Sequence, residues 1–399
     1  MRRHDGSAAI VGASAAGLLT AARLARGGRS VTVFERSSGL DPSHRSLIVT
    51  HRLRELLGPL GERCVRNEIR RFEVYANGLV AEFPLEEPDL IIERSILIRD
   101  LAAEATRNGA EIVYGARFEG LTGTRGGVAV RTTRAGARSA SETTSSVVVG
   151  ADGATSSVAR AAGMRGQPTV PLIQAIVDLP PDYPRDTTRV WFRPSDTPYF
   201  YWLIPDGSGR GALGVIGEEA AATRRRLDRF LDEHALTPAA YQAARIPAYA
   251  GWTPPRRRIG GGDVYLVGDA GGHVKVSTVG GIVTGLRGAL AVAQSIEGGS
   301  NRALRALRRE LDAHLVARRV LHRFSTEDYV RLLEMLNERA KGNLSVHTRD
   351  EPQRVLRSLV RAQPRILLLA LQALAPRRGV AGRALRAASG RAADAKGTR

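Results

Sequence analysis

Ala8-Ala-Ile-Val-Gly-Ala-Ser-Ala-Ala-Gly17, continuing as Leu18-Leu-Thr-Ala-Ala-Arg-Leu-Ala-Arg26 and Ser30-Val-Thr-Val-Phe-Glu35, is the stretch that decides the fold. Ala8 to Val11 reads as a short buried strand, Gly12 to Gly17 as a glycine turn, and Ala15 to Arg26 as a helix closed by Gly27-Gly28. The β-branched run that follows is a second strand. Strand, glycine turn, helix and strand in this order open a parallel, doubly wound sheet. Gly12 permits the tight turn and Gly17 lets helix and strand pack closely. The helix start at Ser14 and Ala15 offers free N–H groups and a positive dipole end to a pyrophosphate. Ser14 stands where the middle glycine of such a turn usually sits. Glu35, with Arg36 behind it, ends the second strand where a carboxylate can grip a ribose 2′-hydroxyl, which favours FAD or NAD over NADP.

The rest of the composition narrows the field. A chain of 399 residues suits two or three interleaved domains, and 43% hydrophobic residues exclude wholesale disorder. The lone Cys64 excludes an intrachain disulfide and a cysteine-based zinc site, and no other metal site is expected. The net charge of +19 comes from 59 basic and 40 acidic residues; only Lys275, Lys341 and Lys396 are lysines, leaving 56 arginines. With 5% aromatic residues and no recognition motif, a nucleic-acid partner is not expected. A solvated arginine-rich surface, an anionic membrane face and a phosphorylated ligand all fit the charge. Arg2 and Arg3 ahead of an Ala/Leu-rich run imitate a signal peptide, but cleavage would remove the first strand and helix. The run from Ile366 to Ala375 is too short to span a bilayer. A cytoplasmic protein is expected, with peripheral contact at the inner face of the membrane. The oligomeric state is left open.

Further along, Asn77-Gly78 between alternating runs signals a hairpin, and a helix is expected around Ile96 to Thr106. Residues 168–254 are strand-rich and hold Trp191, Trp202 and Trp252. Beyond Gly298 the chain turns helical and basic, with Leu304, Leu307, Leu311 and Leu315 on one face and Ser325-Thr-Glu-Asp as a helix cap. Two more strand ends carry Asp–Gly pairs: Val148-Val-Gly-Ala-Asp-Gly153 and Tyr265-Leu-Val-Gly-Asp-Ala270. Alone, each is compatible with a plain Asx turn. In this order, with the opening motif, they resemble the p-hydroxybenzoate-hydroxylase-like superfamily of flavoproteins. That resemblance assigns FAD contacts to Asp269 beside Gly268, support of FAD and of the reductant's approach to Asp152-Gly153, and a place near the flavin to Arg94.

A finer resemblance, over about residues 7–340, is to the geranylgeranyl reductase family. Gly268-Asp-Ala-Gly-Gly-His-Val-Lys-Val-Ser-Thr-Val-Gly-Gly-Ile282 is similar to that family's Gly-Asp-Ala-Ala-Gly-x-Val-Lys-Pro-x-Thr-Gly-Gly-Gly-Ile. Phe200-Tyr-Trp-Leu-Ile-Pro205, with Gly214 beyond it, is similar to its Tyr-x-Trp-x-Phe-Pro…Gly substrate-cavity signature. The resemblance implies that Gly280, Gly281 and Ile282 open a helix facing the flavin's pyrimidine edge, and that Phe200, Trp202 and Pro205 touch substrate. Trp191, Phe192, Tyr199 and Tyr201 join them as candidate walls of an apolar chamber. Lys275 is a candidate catalytic residue, against a solvent-exposed strand end as the plainer alternative. Val276 and Val279 depart from the family's proline and first glycine. The archaeal members' loop cysteine is missing between Ser38 and Ser46; His44 and Arg45 occupy that loop, and the His44 imidazole is a candidate proton donor.

The expected architecture is an α/β Rossmann-type FAD-binding domain built from residues 1–60, 94–165 and 255–300. It is interleaved with a sheet-rich substrate domain from 61–93 and 166–254, followed by a helical region over 301–375 and a fraying tail over 376–399. The expected activity is flavin-dependent saturation of C=C bonds in a polyprenyl chain, with Trp202 as the wall beside the flavin and NADPH or reduced ferredoxin as electron donor. Two other classes stay open. One is an oxygen-using monooxygenase or halogenase, although Phe200 stands at the first aromatic position of the halogenase Trp-x-Trp-x-Ile-Pro and the hydroxylase Pro-Pro-x-Gly is absent. The other is a flavoprotein that only carries electrons or binds FAD without turnover.

Overall fold

A computed structural model describes residues 6–40, 44–134, 136 and 139–375. The expected tail over 376–399 lies outside the described residues. The opening stretch forms β1 (Ser7–Val11), α1 (Ala15–Arg26) and β2 (Ser30–Phe34). Parallel pairing joins β1 to β2 on one side and to β10 (Val147–Gly150) on the other; β17 (Gly262–Leu266) continues beyond β10 and β6 (Glu111–Val113) beyond β2. An antiparallel edge strand, β16 (Arg256–Ile259), completes the six-stranded sheet. The alternation of β1 divides its side chains between two cores. Ala8 and Ile10 face a helical layer with α1, α4 (Arg94–Arg107) and α7 (Ile282–Ile296). Ala9 and Val11 face α5 (Ser157–Ala161) and the three-stranded sheet of β7 (Ala116–Thr124), β8 (Gly127–Arg134) and β9 (Ser141–Ser145).

The second large sheet has the order β15-β11-β14-β13-β12-β4-β5-β3. In chain order these are β3 (Ser46–Val49), β4 (Val65–Ala76), β5 (Leu79–Glu93), β11 (Thr169–Asp178), β12 (Thr187–Trp191), β13 (Tyr201–Pro205), β14 (Arg210–Ile216) and β15 (Pro238–Pro247). Asn77 (φ +48) and Gly78 (φ +82) make the β4–β5 turn, the left-handed pair that a two-residue hairpin requires. β3 lies in the stretch expected to belong to the nucleotide-binding part, yet it pairs with β5 at the edge of this sheet. Its Leu47 and Val49 still pack into the helical core of the other sheet, so the strand bridges the two. α2 (Arg52–Leu57) and α3 (Pro59–Arg63) follow it, and α6 (Ala220–Glu233) covers one face of the large sheet through Leu227, Phe230 and Leu231.

The C-terminal region is α8 (Arg302–Leu321), α9 (Thr326–Glu334), α10 (Glu338–Val346), α11 (Pro352–Ala362) and α12 (Arg365–Leu374). Ser325 caps α9 in a capping box with Asp328. Tyr329 and Leu333 of α9 and Leu369 of α12 bury the hairpin residues Ala76 and Ala81. No helix among the described residues is long and apolar enough to cross a membrane.

Candidate active site

The three glycine motifs converge. Gly12 has φ +101, and a Cβ there would lie 2.6 Å from the Ala151 carbonyl oxygen. A Cβ on Gly17 would lie 2.3 Å from the Gly12 carbonyl oxygen and 2.8 Å from Ala151 Cβ, so neither position accepts a side chain. Gly268 (φ +60) abuts Ala16, and Gly285 on the first turn of α7 abuts Gly268. The starts of α1 and α7 and the ends of β10 and β17 thus meet around one point. Ser14 has extended backbone (φ −76°), which needs no glycine, and its Oγ accepts the Gly17 N–H at 3.2 Å as the α1 cap. Ala15 and Ala16 follow in the first turn, where N–H groups have no partner within the helix. Glu35 closes the turn: one oxygen accepts the Ala13 N–H at 2.8 Å and the other the Ser37 N–H at 3.0 Å, while Arg36 is exposed beside it.

Asp269 and Arg94 are electrostatic neighbours. Burial pushes the Asp269 carboxyl up to about 6 against the opposing pull of Arg94. Burial likewise lowers Arg94, with Asp269 and then Glu93 acting the other way. Gly281 approaches the same carboxylate, since a Cβ there would be 3.3 Å from Asp269 Oδ1. Asp152 is engaged differently: its oxygens accept from Ser156 Oγ at 2.5 Å and from the Ser157 and Val158 N–H groups at 2.6 and 3.1 Å, fixing the start of α5. Gly153 follows with φ +87 and open space around it.

From Lys275 the chain doubles back, the Lys275 N–H donating to the Gly280 carbonyl at 3.1 Å. Val279 sits at φ +54 inside this loop, a left-handed conformation that a β-branched residue adopts at a cost of about 1–3 kcal/mol. The glycine expected there would be relaxed. Thr278 Oγ1 is buried with no hydrogen-bond partner. The α1 start, an α7 start without a side-chain cap, an acidic strand end, the opposed charges of Asp269 and Arg94 and an orphaned hydroxyl suit the phosphates, hydroxyls and ring edge of FAD, so the residues present fit that cofactor.

Beside the Ser277–Val283 turn opens a cavity of about 220 Å³, whose other wall is the large sheet. Phe200 and Trp202 line it, with Phe192, Val190, Ile204 and Ile216. Three of the six aromatics leave the expected chamber; strand alternation turns Trp191 and Tyr201 to the opposite face, where they pack on Phe230 at 5.2 and 4.2 Å. Tyr199 lies under the Arg318 guanidinium. Pro205 is buried outside the lining, its carbonyl accepting from Asn67 Nδ2 at 3.0 Å. Gly214 has a reason to be glycine: a Cβ there would lie 2.2 Å from Trp202 Cζ2, so the indole lies over the bare backbone of the neighbouring strand.

His44 lies outside the lining. Its side chain is 77% exposed, with Nδ1 3.7 Å from Glu93 Oε1 and 3.3 Å from Ser95 Oγ. Lys275, by contrast, lines the cavity at 4% exposure, which corrects the solvent-exposed alternative. Its ammonium is paired with Asp350, which also accepts from Thr50 Oγ1, and the preceding residue, Arg349, lines the cavity and pairs with Asp89. Sequence reading missed Asp350, Arg349 and Thr50, along with the partly buried contact of 2.6 Å between Ser277 Oγ and His314 Nδ1. No local motif marks them, because each pairing spans tens to hundreds of residues.

A family model described as "FAD binding domain" matches residues 5–297. The chain belongs to the FAD binding domain family. It is an FAD-dependent oxidoreductase, and its curated relatives include digeranylgeranylglycerophospholipid reductases. It is 27% identical over 315 residues to digeranylgeranylglycerophospholipid reductase 2 of Methanopyrus kandleri, covering 69% of this flavoprotein and 73% of that relative. A geranylgeranyl bacteriochlorophyll reductase-like structure from Thermoplasma acidophilum superposes with a TM-score of 0.76 at 18% identity, covering 92% of this chain and 99% of that one. A p-nitrophenol 4-monooxygenase from Pseudomonas putida superposes with a TM-score of 0.60 at 17% identity, covering 92% and 96%. The fold is therefore shared by reductases and oxygenases, and the choice between them rests on the site.

Proposed function

We propose that this flavoprotein saturates C=C bonds of a polyprenyl chain. The carrying observation is the apolar cavity of Phe192, Phe200, Trp202, Val190, Ile204 and Ile216, which abuts the Thr278–Ile282 turn. FAD, when bound, supplies the hydride. Gly12, Ala15, Ala16, Glu35 and Asp269 would hold it, with Arg94 and Gly153 nearby and the Gly280-Gly281-Ile282 turn at its ring edge. The protein's own contribution is geometric. Trp202, pressed on Gly214, is a fixed wall that sets one face of the alkene and keeps water out, as an unactivated double bond requires. Phe200 meets Trp202 edge to face at 6.0 Å and Phe192 at 6.1 Å, extending the wall.

The donor class proposed is NADPH or reduced ferredoxin, in a cytoplasmic protein with peripheral membrane contact. Leu367, Leu368, Leu371 and Leu374 of α12 are exposed, and Arg354, Arg357, Arg361 and Arg365 stand near them in the chain, a combination suited to an anionic lipid surface. The test is anaerobic. Chemically reduced holoprotein mixed with a geranylgeranyl lipid should regain oxidised-flavin absorbance without oxygen. Reoxidation only on admitting oxygen would favour the monooxygenase or halogenase, and none with either partner the electron carrier.

A further inference from the structure

Lys275 is buried to 4% exposure and Asp350 to 1%, far from the surface on which an ion pair would be incidental. Asp350 comes from the turn between α10 and α11, in the region that reads in sequence as a basic helical tail. Its two carboxylate oxygens are divided between Lys275 Nζ and Thr50 Oγ1, and its N–H donates to Thr348 Oγ1 at 3.4 Å. The Lys275 stem lies against Gly280, where a Cβ would be 3.0 Å from Cε and 3.3 Å from Nζ, so the missing side chain is what admits the lysine to the cavity wall. Buried ion pairs are costly to desolvate and are often replaceable by apolar residues without loss of stability, so packing alone does not explain this one.

We propose that Lys275 Nζ supplies the proton to the substrate cavity, and that Asp350 is the positioning residue that keeps this ammonium charged and turned to the wall. The inference rests on the reductase reading. As the hydride brings its own electron pair to one alkene carbon, the π pair of the broken double bond takes the proton from Nζ at the other. Lys275 is left as a neutral amine and regains its proton from water. The reductant is the dihydroflavin of the proposed activity. The assignment gives a role to a lysine in a chain of arginines, whose guanidinium would not release a proton, and it dispenses with His44, which faces away. The charged and titratable groups that bear on this site are Asp350 and Arg349 from the α10–α11 turn, Asp89 from β5, and Glu310 and His314 from α8, with Arg287 of α7 paired to Glu310 at 2.6 Å. Asp350 is held below its ordinary range: burial alone would raise it, but Lys275, Thr50 and Arg349 outweigh that.

With only three lysines, a sample carrying 15N-lysine gives three side-chain signals, and Lys275→Met assigns one of them. In the oxidised holoprotein, Asp350→Asn should make the Lys275 ammonium about tenfold or more easily deprotonated than in the wild type, and Asp350→Glu should restore it. In parallel, single-turnover oxidation of the reduced holoprotein by a geranylgeranyl lipid should lose rate on the alkaline side, with that limb moving in Asp350→Asn by the shift seen in the lysine titration. If the single variants do not fold, Lys275→Met/Asp350→Leu removes both charges together and should keep FAD while losing lipid-driven oxidation. A Lys275 titration indifferent to Asp350, a rate limb that does not follow it, or full lipid-driven oxidation in the double variant overturns the proposal. Wild-type protein that no prenyl lipid oxidises removes the reductase reading instead, and the proton's destination with it, while the lysine titration still reports on the pair.

Discussion

Gly214→Ala perturbs the cavity wall without touching any residue assigned to FAD. The added Cβ would lie 2.2 Å from Trp202 Cζ2, 2.5 Å from Cε2 and 2.9 Å from Gln174 Cβ. Ordinary carbon contacts begin near about 3.5 Å, so the indole must retreat by roughly 1 Å, and the direction open to it is the cavity. Overpacking of this kind costs about 1–3 kcal/mol. With an unfolding entropy of about 2.1 cal/mol/K per residue over 399 residues, the melting temperature should fall by only about 1–4 °C if the chain unfolds as one unit. The sharper assay is spectroscopic. The chain has three tryptophans, so 5-fluorotryptophan gives three 19F signals, and only that of Trp202 should move strongly, with Trp191 and Trp252 as internal controls. Lipid-driven oxidation of the reduced flavin should slow while FAD stays bound. An unmoved Trp202 signal, or a wild-type rate despite a moved one, would refute the reasoning that this indole is the wall of the reacting chamber.

Glu35→Ala or Asp269→Ala should each weaken FAD about ten- to hundredfold, since each deletes a charge-assisted contact at opposite ends of the cofactor; flavin absorbance after dialysis reads it, and full retention in both defeats the assignment. Burial pushes His273 down to about 4 and His314 to about 3, against about 6.5 in the unfolded chain, so folded protein should lose stability as pH falls from about 6.5 toward 4. Urea midpoints over that range check this, and His314→Gln should flatten the slope. Sedimentation with anionic vesicles should bind the protein at low salt and release it as ionic strength rises, and Leu367→Glu/Leu371→Glu should abolish binding; salt-independent binding would exclude the charged contact.

What could be read from sequence was what depends on near neighbours. The β1–α1–β2 unit is legible because turn, helix and strand signals lie within thirty residues, and the end of α1 at Arg26 follows from Gly27-Gly28. Trp202 and Gly214 were legible as a pair, although only the β13–β14 register shows that one makes room for the other. The aromatics from Trp191 to Trp202 were candidate walls of one chamber; the two-residue period of the strands sends Trp191 and Tyr201 to the core beneath α6. Ser14 departs from the glycine pattern without cost because it caps the helix, whereas Val279 departs at the cost of a left-handed backbone. The ties of Lys275 to Asp350 and of Thr50 to Asp350 were illegible, because they join segments 75 and 300 residues apart that carry no shared motif.

The central claim is that the cavity beside the Thr278–Ile282 turn holds a prenyl chain whose double bonds are reduced there. Mass spectrometry of a geranylgeranyl lipid after anaerobic incubation with the holoprotein and a chemical reductant tests it most directly. The account predicts products heavier by about two daltons for each bond saturated, formed without oxygen, and lost in Trp202→Ala while FAD remains bound. Unchanged lipid under these conditions, or a product that appears only with oxygen and is heavier by the mass of an oxygen atom, would contradict it.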